Sequence, residues 1–182
     1  MISVVIPTYN RKLELCELIE SLSRQSFREF EVIVVNDHGD KVSFLTKLYP
    51  ELQIRIMDMP QNVKNVQALN AGVAVARYPL IMFGDDDDLL LPSHLKRMAE
   101  EIRDADLAYS DAEIVFSRVE NGCRQPYRRE LFAYELDLEG MRRFSTYIPS
   151  GSIIRKSILE QIGGLDPEMY HYWDWDLFLR VA

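Results

Sequence analysis

A chain of 182 residues is long enough for one domain with a sizeable core, and 47% hydrophobic with 27% charged residues is the make-up of an ordinary globular protein. A formal net charge of −8 excludes the basic face that a nucleic-acid backbone requires, so no nucleic acid is expected as a partner. No apolar stretch approaches the roughly 20 residues of a membrane-spanning helix, the first residues do not read as a secretory signal, and the two cysteines, Cys16 and Cys123, are expected to be reduced.

Strand and helix signals alternate through the first half. Ile2 to Ile6 is a short β-rich run ended by Pro7. Leu15, Leu18, Ile19 and Leu22 recur at helical spacing between Arg11 and Gln25. Glu31 to Val35 is too continuously apolar for a half-exposed strand and suits one buried on both faces of a parallel sheet. A short helix carrying Val42, Leu45 and Leu48 follows, then a strand over Ile54 to Met57. Val66, Leu69 and Val73 predict a helix before Pro79, and Leu80 to Phe83 a fourth strand. Leu95, Met98, Ala99 and Ile102 mark a helix with Pro92 near its start. Beyond Leu107 the pattern loosens. Leu107 to Ser110 and Ile114 to Phe116 read as strands, and Asn121 to Glu130 as a polar, basic loop or hairpin. Asp137 to Phe144 is predicted as a short helix, Ile153-Ile154 as a strand, and Lys156 to Ile162 as a helix ended by Gly163-Gly164. Residues 176–182 read as an unfinished helix, as if the chain stopped inside a longer protein.

Such repeats imply a mainly parallel α/β sheet with helices on both faces, and ligands then bind at the carboxyl ends of the strands. That rule gathers Tyr9, Asn10 and Arg11, Asn36 and Asp37, Asp58, and the run Asp85-Asp86-Asp87-Asp88 into one region. Four adjacent carboxylates at the end of a buried strand repel one another and lose solvation, which favours a bound cation. A hard ion such as Mn²⁺ or Mg²⁺ takes one or two carboxylates plus the phosphates of a substrate. The chain has no Gly-rich dinucleotide fingerprint and no phosphate-loop lysine motif, so a metal-bridged nucleotide diphosphate is the ligand these residues suit. Asp174 stands between Trp173 and Trp175, either as a carboxylate among ring faces that suit a sugar, or as a helix N-cap beside core aromatics. His38 and His171 read as surface or hydrogen-bonded residues before metal ligands, and His171 could contact an acceptor. Arg124, Arg128 and Arg129 could approach a diphosphate or form a solvated basic loop.

Several stretches together resemble a family 2 glycosyltransferase of the GT-A fold. They are Val4 to Arg11, Phe30 to Asp37, Asn62 to Gly72, and Asp85-Asp86-Asp87-Asp88 with Pro92 and Leu95. In the second half they are Ile148 to Gly151, Gly163 to Asp166, and Asp174 to Leu177 with Arg180. The resemblance implies a single catalytic domain, with residues 1–105 as its nucleotide half and 106–182 as its acceptor-side half. It implies that Pro7, Thr8, Tyr9, Asn10, Arg11, Asp37, Asp85 and Asp86 hold the nucleotide, with Asp37 accepting a hydrogen bond from the base. Asp87 would bind Mn²⁺ or Mg²⁺, assisted by Asp85. Asp174 would be the general base, with Asp176 as its nearest rival, and Asp88, Ser150, Gly151, Trp173 and Trp175 would face the acceptor. The implied reaction inverts an anomeric centre and moves a sugar from a nucleotide sugar, a UDP-sugar first, to a glycan or lipid-linked acceptor. Its expected place is the cytoplasm, including the inner membrane surface.

The chain departs from the family pattern at Lys64, where glycine is common, at Leu69, where arginine is common, and at Trp173, where an acidic residue is common. His38-Gly39-Asp40 also replaces a small polar run. Two alternatives are a nucleotidyltransferase, which would carry a Gly-rich loop in place of Pro7 to Arg11, and a nucleotide-binding module without activity.

Overall fold

A computed structural model describes residues 1–121 and 123–182; the side chain of Cys123 lies outside the described residues. The elements run β1 (Ile2–Thr8), α1 (Lys12–Ser23), β2 (Phe30–Asn36), α2 (Leu45–Leu48), β3 (Ile54–Asp58), α3 (Asn65–Val75), β4 (Leu80–Phe83) and α4 (His94–Glu101). They continue with β5 (Leu107–Ala108), β6 (Ala112–Glu120), β7 (Cys123–Phe132), β8 (Ile153–Arg155), α5 (Lys156–Gln161) and α6 (Trp173–Val181). Six strands form one sheet in the order β3-β2-β1-β4-β8-β5. The first four are mutually parallel, and β8 runs antiparallel to both β4 and β5. This is the predicted α/β, GT-A-like arrangement.

Two apolar layers hold the sheet, and the two-residue period of a strand assigns side chains to them. Val4 and Ile6 pack with Leu15, Leu18 and Leu22 of α1 and Leu95 and Met98 of α4. Val5 packs the other way, with Ile33, Val35, Val66 and Leu69 of α3, and Trp173 and Leu177 of α6. The second contact needs Gly72: a Cβ there would lie 2.4 Å from Cγ1 of Val5 and 3.0 Å from Cγ2 of Val35.

Proline inside β1 has a local reason. The Val5 carbonyl accepts from the Gly84 amide, and the Thr8 carbonyl from the Asp37 amide. The odd-numbered residues of β1 therefore face β4, whose last paired residue, Phe83, lies opposite Val5. Pro7 sits beyond that end, where its missing N–H costs no ladder bond.

Four predicted boundaries change. The strand at Leu107 stops at Ala108. The strand predicted at Ile114 to Phe116 and the polar segment after Asn121 form one long antiparallel hairpin, β6–β7, with a register shift between Phe116 and Ser117 that places Pro126 beside the irregularity. The hairpin lies apart from the main sheet, so no burial pattern marks it in the sequence. The helix predicted over 137–144 is only a 3-10 turn, Gly140–Arg142. The Asp137 carboxylate accepts from the Glu139 amide at 3.1 Å, a local turn that competes with helix.

Candidate active site

The carboxyl ends of β1, β2 and β4 meet at a cleft of about 330 Å³ lined by Pro7, Thr8, Tyr9, Arg11, Asp37, Asn65, Asp85, Asp86 and Asp87. Of the predicted nucleotide residues, only Asn10 is absent from the lining. Its backbone is left-handed at φ 57°, and its side-chain oxygen accepts from the Asp40 amide at 2.8 Å, so it shapes the loop. Asp58 is similarly engaged, accepting from Asn36 at 2.7 Å.

The aspartate run is organised by the first strand and by the loop before β8. Thr8 Oγ1 donates to Asp86 Oδ2 at 2.7 Å. Arg11 spans two carboxylates, at 3.0 Å to Asp86 and 2.7 Å to Asp87. The Asp85 amide donates to the Ser150 hydroxyl at 3.1 Å, and that hydroxyl also bonds the Asp88 carboxylate. The Gly151 amide donates to the Phe83 carbonyl at 2.8 Å, and His94 Nε2 lies 2.8 Å from the Gly151 carbonyl. Gly151 has φ 81°, and a Cβ there would stand 2.9 Å from the His94 ring. Ser150 and Gly151, predicted to face the acceptor, thus brace the carboxylates from beneath.

The electrostatics follow from that geometry. Burial, then the charges of Asp88, Asp87, Asp86 and Asp174, push the Asp85 carboxyl up to about 7. Burial also raises Asp86, opposed by Thr8 and Arg11, and raises Asp88, opposed by Ser150. Burial would lower Arg11, but Asp86 and Asp87 hold it above its ordinary value.

Asp37 is almost wholly buried, and both its oxygens are in use. One accepts from the Val63 amide at 2.7 Å and the other from the Lys64 amide at 2.9 Å. It ties the loop before α3 to the end of β2, and so carries Asn65 to the cleft. Sequence reasoning missed Asn65. The available signal was the carboxylate after β2, which holds the end of the loop between β3 and α3.

Asp174 lies in the first turn of α6. The N-cap is Tyr172, left-handed at φ 60°, so the N-cap alternative for Asp174 does not hold. The buried Tyr147 hydroxyl donates to the Asp174 carbonyl at 2.7 Å. Trp175 Nε1 donates to the Met141 carbonyl, and Trp173 packs edge-on against Phe83 with centroids 5.6 Å apart. Trp173 is thus a core residue that fixes the helix start. Asp176 pairs with Arg180 at 2.7 Å, which leaves Asp174 as the carboxylate whose charge reaches Asp85.

Among the described residues, no three His, Cys, Asp or Glu side chains form a metal cage made by the protein alone. Asp85 and Asp87 nonetheless fit an ion that completes its shell with phosphate oxygens. Asp85 is raised first by burial and then by its acidic neighbours, and a bound cation would offset both. His38 lies 3.4 Å from the Met59 carbonyl, and His171 stacks edge-on against Tyr170. The hairpin arginines are engaged elsewhere. Arg124 approaches Glu14 and Glu17, Arg128 pairs with Glu130, and Arg129 with Glu113.

Comparison with known proteins identifies the family and the fold. The glycosyl transferase family 2 model matches residues 3–163. An uncharacterised glycosyltransferase of Bacillus subtilis, YwdF, is 50% identical over 181 residues, covering 100% of this chain and 68% of its own length. A Haemophilus influenzae glycosyltransferase is 25% identical, with 62% of its length covered. The poly(ribitol-phosphate) β-N-acetylglucosaminyltransferase TarS of Staphylococcus aureus is 29% identical over 188 residues, covering 99% of this chain and 32% of TarS. In structure, residues 1–349 of TarS superpose with a TM-score of 0.74 at 23% identity, covering 99% of this chain and 54% of that one. The TarS fragment bound to UDP-GlcNAc also scores 0.74, at 24% identity. The chain therefore spans only part of the proteins it matches. On the family model and the 50% identity to YwdF, it belongs to glycosyl transferase family 2.

Proposed function

We propose that the chain carries the catalytic domain of a metal-dependent, inverting glycosyltransferase that moves a sugar from a UDP-sugar to an acceptor hydroxyl in glycan or lipid-linked glycoconjugate synthesis. Residues 1–105 form the donor half and 106–182 the acceptor-side half. The observation that carries this is the cleft at the ends of β1, β2 and β4, which gathers Thr8, Tyr9, Arg11, Asp37 and Asp85 to Asp87. UDP as the nucleotide is supported by the TarS complexes with UDP and UDP-GlcNAc. A Pyrobaculum calidifontis mannosyltransferase of similar fold, with GDP-Man and Mn²⁺, has a TM-score of 0.66.

The nucleoside lies against Pro7, Thr8 and the half-exposed Tyr9, all of which line the cleft. Asp37 keeps a lone pair on each oxygen for the base while it holds the 63–64 amides. Asn65 borders the same space. Asp87 and Asp85 would hold Mn²⁺ or Mg²⁺, which when bound supplies positive charge where the leaving diphosphate becomes more negative. Arg11, already on Asp86 and Asp87, adds a fixed cation on that side. Asp174 takes the proton from the acceptor hydroxyl as that oxygen bonds to the anomeric carbon and the bond to the diphosphate oxygen breaks. The nucleoside diphosphate leaves on the opposite face, so the configuration inverts. No helix among the described residues is long and apolar enough to cross a membrane, and we place the reaction in the cytoplasm, including the inner membrane surface.

The test is Asp174→Asn. Turnover of UDP-sugar should fall by roughly 100-fold or more, with UDP affinity nearly intact. Unchanged turnover would remove Asp174 from the base role.

A further inference from the structure

Arg11 lines the cleft at the strand ends, and its backbone is pinned from both sides. Before it, the Asn10 side chain accepts from the Asp40 amide at 2.8 Å. After it, Lys12 pairs with the Asp40 carboxylate at 2.9 Å. The Arg11 carbonyl accepts from the Leu15 amide at 3.0 Å, which seats the residue as the N-cap of α1. What is left free to move is the side chain, about half of it exposed.

Its two ion pairs differ in kind. Nη1 meets Asp86 at 3.0 Å, and that side chain is only 6% exposed. The other Asp86 oxygen is held by Thr8 at 2.7 Å. Breaking a pair of this sort strands a charge away from water, so it persists. Nη2 meets Asp87 at 2.7 Å, and there the two side chains are 48% and 41% exposed. Exposed pairs are weak and exchange readily with other ions. The guanidinium is therefore anchored on Asp86 and lightly held on Asp87.

Asp87 is also the carboxylate that the proposed function gives to Mn²⁺ or Mg²⁺. Two cations on one carboxylate repel each other, so an ion arriving there competes with Nη2. A diphosphate beside the ion offers that nitrogen another anionic acceptor, of a kind arginine suits.

We infer that Arg11 couples the metal to the nucleotide: turning about its anchor on Asp86, it hands Asp87 to the ion and its Nη2 edge to the diphosphate. The inference rests on this cleft being the donor site. Either ligand alone has to break the Arg11–Asp87 contact, but when both bind the contact is broken once. Each ligand therefore favours the other by a factor set by that contact. A positive charge that stayed in place would favour UDP and oppose the metal without coupling the two.

The experiment is calorimetric titration of UDP into the parent, Arg11→Gln and Arg11→Lys, with excess chelator and with saturating Mn²⁺. The readout is the ratio of the two UDP dissociation constants. Association of Mn²⁺ with UDP in solution enters parent and variants alike and drops out of the comparison. In the parent, Mn²⁺ should tighten UDP binding by at least roughly tenfold. In both variants that ratio should fall by roughly two- to fivefold, the strength of one exposed ion pair. Lysine keeps the charge but lacks the fork that spans two acceptors, so it separates the turning arginine from a fixed charge. A ratio unchanged in either variant overturns the inference and leaves the donor site standing. UDP that binds the parent no more tightly with Mn²⁺ than with chelator overturns the metal-dependent donor site, and the coupling falls with it.

Discussion

Glu31 is a carboxylate with 1% of its surface exposed, and the sequence places it at the start of an apolar run with no visible partner. The structure supplies the partners. The Ser3 hydroxyl donates at 2.8 Å, the Arg77 amide at 2.8 Å, and Arg55 lies at 3.3 Å. Burial alone would raise the carboxyl, but these donors hold it below its ordinary value. A depressed carboxyl contributes stability that is complete above the unfolded value of about 4.3 and is lost as pH falls through the folded value. Glu31→Gln should therefore cost about 2 kcal/mol at pH 7. In urea unfolding measured from pH 7 to pH 3, the gap between variant and parent should close below about pH 4. A gap that stayed constant across that range would mean the charge on Glu31 contributes nothing.

At the scale of elements, the first four strands and their helices were legible because their apolar residues recur with clean periods and are buried. Continuous runs such as Glu31 to Val35 mark strands covered on both faces, and burial of Ile33, Val34 and Val35 at 1% exposure or less agrees. The β6–β7 hairpin was only partly legible because it has no buried face to impose alternation, with Val119 and Leu131 both about three-quarters exposed. The turn at Gly140 was misread because Asp137 takes up a nearby amide that a helix would have used. The approach of α3 to β1 depends on a residue without a side chain. Gly72→Val should cost about 1–3 kcal/mol through overpacking against Val5 and Val35, read as a lower urea midpoint. An unchanged midpoint would show that α3 can shift outward freely.

At the scale of the whole molecule, the location of the site was legible because a parallel sheet brings the carboxyl ends of β1, β2 and β4 together whatever the loops contain. Thr8, Tyr9, Asp37 and Asp85 converge for that reason. What was not legible lies in contacts between segments far apart in sequence. Ser150 under Asp85 depends on how the second half docks on the first, Asn65 brought in by Asp37 on a loop folding back within the first half, and Tyr147 on the Asp174 backbone on packing within the second. No local period or motif encodes such pairings. The acidic balance of −8 also gains a local meaning, since much of it is gathered where a cation and a diphosphate would offset it.

The most direct measurement is calorimetric titration of UDP into the chain, with Mn²⁺ and with excess chelator, for the parent and for Asp87→Ala. With Mn²⁺ the parent should bind, and chelator or the substitution should each weaken binding by at least tenfold, about 1.4 kcal/mol. Equally tight binding by parent and variant, with and without the metal, would contradict a cation bridging these carboxylates to the diphosphate.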